Sequence, residues 1–220
     1  LIRVPNRTIP DEKHPPKWQG IVEGLKYVNA HKGLRLLLLL TFVNNIFIMG
    51  PAIIGLPVFV REVLIANFGV LAKLEVAMAV GMIIGSFLFW KAVKKINPIY
   101  ILLIGIVMDG ITYTFLYFVH SPFAAIIVLL IHGIGIPLIT VSRTTIIQSV
   151  VPDKFRGRIF SMNYMAVMGT TAISVGLTGF ILEFIGADLL FLLIGIGAAL
   201  TVIIGFNPVL RKMNVNKRLL

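Results

Sequence analysis

Cysteine is absent from this 220-residue chain, and acids are scarce, with nine Asp and Glu against 20 Lys and Arg. Without a thiol there is no disulfide framework, no thiolate metal site and no cysteine nucleophile. The usual catalytic signatures are missing too: there is no HExxH, no GxSxG, no GxGD, no Walker-type phosphate loop and no GxGxxG following a strand. The four histidines, His14, His31, His120 and His132, lack metal-ligand spacing. The expectation is a protein that is not an enzyme and needs neither metal nor cofactor. Charge of any sign is thin, at 13% of residues, while 58% are hydrophobic, far from the balance of a soluble domain.

What is present is long apolar runs. Stretches of about 20 apolar residues, enough for a helix to cross hydrocarbon, fall at roughly Leu36 to Val60, Val70 to Trp90, Ile99 to Val119, Phe123 to Val150, Ile159 to Ile185 and Leu189 to Val209. They are continuous, unlike the alternating ten-residue pattern of barrel strands. The predicted class is therefore an all-α membrane protein with six transmembrane helices.

The net charge of +11 is distributed along this frame. A nucleic-acid reader gathers its basic groups on a solvated face, whereas here they sit in short gaps between spans, so the expected partner is a lipid bilayer and not nucleic acid. Every Lys and Arg except Arg61 and Lys73 falls in the amino-terminal segment, the gaps after spans two and four with the end of span four, or the tail. By the positive-inside rule that face is cytoplasmic, with both termini inside. Residues 1–17 are expected to be a cytoplasmic linker. Residues 18–35, with Ile21, Val22, Leu25, Val28 and Leu34 near one helical face, suggest an amphipathic helix lying on the membrane. Residues 36–209 form the transmembrane domain and 210–220 a cytoplasmic tail.

The fourth gap, "VPDKFRGRIF", contains Pro152, which stops one helix, and Asp153, which can cap the next turn. Gly157 lies between Arg156 and Arg158, which are placed to meet lipid phosphate or an acidic partner. Ordinary charge anchoring explains the same residues.

Polar residues inside the spans are costly in hydrocarbon and mark functional candidates. On the first span Thr41, Asn44 and Asn45 precede Gly50, Pro51, Gly55 and Pro57, a group expected to break or kink the helix. Cavity wall and interhelical hydrogen bonding are both open to the asparagines. Asp109 lies 14 residues beyond Lys95, about 21 Å along a helix. It is either a proton-coupling carboxylate or a structural one, held by Thr112 or Tyr113. On the fourth span His132 and "GIGIP" precede Thr140, Arg143, Thr144 and Gln148, whose neighbours favour an aqueous cavity for Arg143. Ala77, Gly81 and Gly85 on the second span, and Gly169, Gly176 and Gly179 on the fifth, permit close helix contact.

"GPAIIGLPVFVREVL", "RTTIIQSVVPDKFRGRIFSM" and the order of six spans with basic gaps together resemble the carboxy-terminal half of a major facilitator superfamily transporter. The branch of enterobactin exporters and macrolide efflux permeases is the most similar. The likeness runs from about Trp18 to Met213, and its most specific part is Arg143 to Arg158. It implies a parent of twelve helices of a bacterial-type plasma membrane, whose partner is the missing amino-terminal six-helix half. It also implies export of a small amphipathic substrate by alternating access, with proton coupling. In that scheme spans one, two, four and five line the cavity and spans three and six support them from outside, which lowers the rank of Asp109. Thr41, Asn44, Asn45, Arg143 and Gln148 are the cavity candidates; Pro152, Asp153, Arg156, Gly157 and Arg158 structure the inner hinge. "GSFLFWKAVKKINP" departs from the superfamily pattern, with Phe89 and Trp90 where an acidic and basic pair belongs. Two rivals remain: a self-standing six-helix protein that pairs with a second copy, and a membrane scaffold acting through its basic face.

Overall fold

Several helix starts in this chain are written as a capping residue with proline or glycine just after it. In the computed structural model, which describes residues 17–213, the Asn97 side chain accepts from Ile99 N at 3.0 Å and Pro98 opens the helix. Ser121 with Pro122, and Asn207 with Pro208, repeat the device, and Asn67 accepts from Gly69 N. A side-chain acceptor satisfies one of the orphan amides, and Pro at the first position has no amide to leave orphaned.

The resulting helices are α1 (Lys17–Ala30), α2 (Lys32–Gly50), α3 (Leu56–Glu62), α4 (Phe68–Ala92), α5 (Pro98–Leu116), α6 (Pro122–Val150), α7 (Asp153–Leu182), α8 (Ala187–Leu200), α9 (Val202–Gly205) and α10 (Pro208–Arg211). Six stretches are long and apolar enough to cross a membrane: 32–62, 68–92, 98–116, 122–150, 153–182 and 187–205. The all-helical architecture expected from the sequence is what the described residues form. The expected linker of residues 1–17 lies, but for its last residue, outside them, as does most of the tail.

Several boundaries differ from the sequence reading: the fifth span begins at Asp153 rather than Ile159, and the sixth ends at Gly205 rather than Val209. The amphipathic helix ends at Ala30, because His31 takes an extended backbone (φ −112°, ψ 91°), and the first span already begins at Lys32. Leu34 therefore belongs to the span. Nor does the first span break at Gly50, Pro51, Gly55 and Pro57. Pro51 and Pro57 cannot donate to the carbonyls of Phe47 and Ile53, and the chain widens into one π-helical turn, Pro51–Gly55, in which Leu56 N bonds the Pro51 carbonyl. Beyond it α3 continues the rod.

Two apolar clusters hold the bundle, one at each end. Leu34, Leu37, Ile99, Ile147, Ile159 and Leu210 pack where the basic gaps gather. Phe59, Leu74, Leu116, Leu129 and Phe191 pack at the opposite end. α5 sits between α6 and α8. Close packing joins α4 to α6 through glycine: a Cβ at Gly81 would run into the Leu130 carbonyl, at Gly85 into that of Ile134, and at Gly133 into that of Met78. Close backbone approach replaces the hydrophobic effect, which gives nothing between helices in lipid.

Candidate functional site

Between the two clusters a cavity of about 380 Å³ is walled by α2, α4, α5, α6 and one residue of α7. Comparable hollows lie at the bundle ends, of about 450 Å³ beside Pro57–Leu71 and about 550 Å³ beside Tyr27–Leu34. Only the central one combines a buried acid, a buried imidazole and a guanidinium among its lining residues. Small-molecule sites have this character: apolar walls with a few placed polar groups.

α2 contributes Thr41, Asn44 and Asn45. The Thr41 hydroxyl donates to the Leu37 carbonyl at 2.9 Å, so its lone pairs remain open to the cavity. Asn44 Oδ1 accepts from Thr201 at 3.4 Å. Asn45 lines the cavity and also bonds across to α7, its Nδ2 donating to Thr170 Oγ1 at 2.7 Å, Thr171 Oγ1 at 3.1 Å and the Val167 carbonyl at 3.1 Å. Both readings left open for Asn45 thus apply at once. Below it Gly50 N donates to Ser174 Oγ at 2.7 Å, and Ser174 donates to the Ile46 carbonyl.

The third span is where the site departs most from expectation. α5 is not a support standing behind the cavity: Leu102, Ile106, Asp109 and Tyr113 line it. A carboxylate cannot face lipid cheaply, so α5 turns its Asp109 face inward, where the small Gly135 of α6 leaves it room. Asp109 Oδ1 lies 3.7 Å from His132 Nδ1 and takes no hydrogen bond among the described residues. His132 Nδ1 is 2.9 Å from Thr112 Oγ1, whose own proton goes to the Met108 carbonyl at 2.7 Å. Thr112 Oγ1 and the Asp109 carboxylate thus both lie against the Nδ1 edge of the imidazole. The Tyr113 ring stacks on the imidazole at 4.4 Å and meets Phe191 edge-on. The result is a fixed carboxylate–imidazole pair between the third and fourth spans.

On α6, His132, Ile136, Ile139, Thr140 and Arg143 recur at helical spacing and all face the cavity. Gln148 does not: it lies exposed beyond Arg143, where its backbone carbonyl accepts from Arg156 Nη2 at 2.8 Å. Five residues past Arg143 carry it about 7.5 Å further along the helix, out of the chamber. Met49, Met78 and Met82 complete the opposite wall.

The hinge residues form a separate cluster. Pro152 precedes α7, Asp153 pairs with Arg156 at 2.8 Å, and Gly157 is open. Arg158 pairs with Glu23 of α1, while Tyr27 stacks on Phe155 at 4.6 Å. The acidic partner expected for this arginine is supplied by the chain's own amphipathic helix.

Residues 3–199 match the family described as MFS/sugar transport protein. This chain belongs to the major facilitator superfamily. It is 27% identical over 214 residues to the uncharacterized MFS-type transporter YfmI of Bacillus subtilis (strain 168), covering 94% of this chain and 52% of that protein. The chain thus spans about half the length of the curated relative it matches. No solved structure matches it. A superfamily member with six such helices is a multi-pass membrane protein, and the superfamily consists of transporters.

Sequence reasoning named His132 and Tyr113 without assigning either to the cavity, and passed over the methionine wall. His132 carried a signal, being the one histidine inside a span, flanked by glycines that let a neighbouring helix come close.

Proposed function

We propose that this chain is the carboxy-terminal six-helix half of a secondary-active exporter, moving small amphipathic compounds by alternating access against a proton gradient. The branch of enterobactin exporters and macrolide efflux permeases is the kinship proposed for it. A bacterial-type plasma membrane is the proposed location, with the basic face and both termini cytoplasmic. The observation that carries this reading is the buried Asp109–His132 pair opening on a mid-bundle cavity. A carboxylate and an imidazole in contact can hold or release one proton between them, and a cavity on the same groups links that proton to a ligand.

The partner proposed for the half is a second six-helix body. The exposed faces of α4 and α7 support it: Gly169 and Gly176 touch nothing within 4 Å, although small residues on a span serve close helix contact. The body is the amino-terminal half of a longer parent; pairing with a second copy is the alternative that the same faces favour.

The test uses the full gene product in proteoliposomes, with an imposed pH gradient and a panel of fluorescent amphipaths of each charge. Wild type is expected to drive uphill movement of at least one. Asp109→Asn is expected to abolish the uphill movement while leaving exchange across equal pH. Gradient-driven movement that survives Asp109→Asn retires the coupling role, and no movement of any compound by wild type retires the transporter reading.

A further inference from the structure

Arg143 lines the cavity wall about 16 Å along α6 from His132, and no hydrogen-bond acceptor or acid meets it among the described residues. Each acid there is accounted for. Glu62, Glu75, Glu183 and Asp188 belong to the opposite end of the bundle. Glu23 and Asp153 are held by Arg158 and Arg156, and Asp109 faces His132. Thr140 and Thr144, the nearest hydroxyls along the helix, donate to the carbonyls of Ile136 and Thr140 at 2.9 Å, and neither bonds to Arg143 among the described residues. A guanidinium at membrane depth is expensive without a counter-charge.

The wall between Arg143 and the Asp109–His132 pair is apolar and deformable. Met49, Met82, Ile136 and Ile139 form it, and unbranched thioethers adapt to ligands of different outline. The cavity is therefore polarised: one end has an acid with its own partner, the other a cation with none, and greasy surface lies between. Resting on the transport reading of this cavity, we infer that its ligand is an amphipathic organic anion, with an apolar body seated on the methionine wall and a carboxylate or similar group received by Arg143. The planar fork of arginine suits a two-oxygen anion better than a point charge does.

The experiment compares three matched probes, 1-naphthoate, the neutral 1-naphthamide and 1-naphthylmethylammonium. Saturable binding is measured at neutral pH to the full gene product in nanodiscs of zwitterionic lipid, with empty nanodiscs subtracted. Wild type is expected to bind naphthoate about tenfold or more tighter than naphthamide, the size of one charge-assisted contact. Arg143→Gln is expected to bring the two to parity, and the saturable naphthamide binding that remains shows that the variant is folded. Arg143→Lys is expected to keep part of the preference.

Parity in wild type, or a preference that persists in Arg143→Gln, overturns the inference. So does tightest binding of the ammonium probe with loss in Asp109→Asn, which makes the ligand a cation. If no probe binds saturably while the pH-driven flux of another amphipath persists, the anion site is wrong and the transporter reading stands. If the Arg143-dependent preference is present but flux is absent, the reverse holds.

Discussion

α5 and α7 are both long apolar helices of one bundle, yet one is enclosed by its neighbours and the other is held along a single seam. In the most apolar stretch of α5, 61% of residues are buried; in that of α7, 17% are. α5 is fixed by backbone contact: Gly105 meets α6, and Gly110 meets Ala199 of α8. α7 is tied to α2 by a short ladder of side-chain bonds from Asn45 and Ser174 and by one close backbone approach, Gly50 of α2 against the Ser174 carbonyl, while its own glycines meet nothing within 4 Å. The same residue type therefore means different things on the two sides of the bundle. Glycine in the α4–α5–α6 block is a requirement of the fold, whereas glycine on α7 is surface.

The largest expected effect breaks that contrast directly. Gly133→Leu puts a side chain into the Met78 carbonyl and is expected to cost about 3 kcal/mol or more, or to prevent assembly. Gly176→Leu adds the same atoms to open surface and is expected to shift stability by less than about 0.5 kcal/mol. Thermal melting and monodispersity in mild detergent separate the two; equal losses would erase the distinction. Gly176→Leu is nevertheless expected to depress transport, because the proposed second body meets that face.

Next in size, Asn45→Ala removes three bonds to α7 and is expected to cost about 1.5 kcal/mol. Hydrogen exchange should quicken along residues 163–175 while α5 stays protected. Uniform quickening would mean that α7 is not a separately held element. The smallest effect is at the basic end, where Glu23→Gln loosens α1 from Arg158 by about 0.5 kcal/mol. The measurement is proteolysis after Lys154, expected to be faster in the variant and to become insensitive to salt.

The spans were legible because lipid imposes length and apolarity; their ends were less so, since the apolar run of the sixth span reads on through Asn207-Pro208, which start a new short helix. Polarity alone was enough to single out Thr41, Asn44, Asn45 and Arg143 as candidates, all of which the structure places on the cavity wall. What sequence could not supply was rotation. Whether Asp109 faces a cavity or a supporting contact depends on how α5 is turned against α6, which glycines 105 and 135 set through contacts between residues 30 apart. The same ignorance kept His132, though named, from being assigned to the cavity. Gln148 was carried in by its polar neighbours, although counting five residues on from Arg143 already takes it toward the helix end. The glycines of α7 look in sequence like those of α4, and only the presence or absence of a facing backbone tells them apart.

The π-helical turn at Pro51–Gly55 fits one residue more into its loop than an α-helix would. Drawn as α-helix throughout, the first span would rotate everything after the turn by about 100°. Phe59 and Val60, now buried against the α8 end of the bundle, would swing toward lipid. The span thus keeps two phases in one rod, one presenting Asn44 and Asn45 and the other seating Phe59 on Phe191. A relative whose first span is α-helical throughout can match both lengths only if its alignment opens a one-residue gap at this turn; without the gap, every position beyond Gly55 is compared with the wrong face.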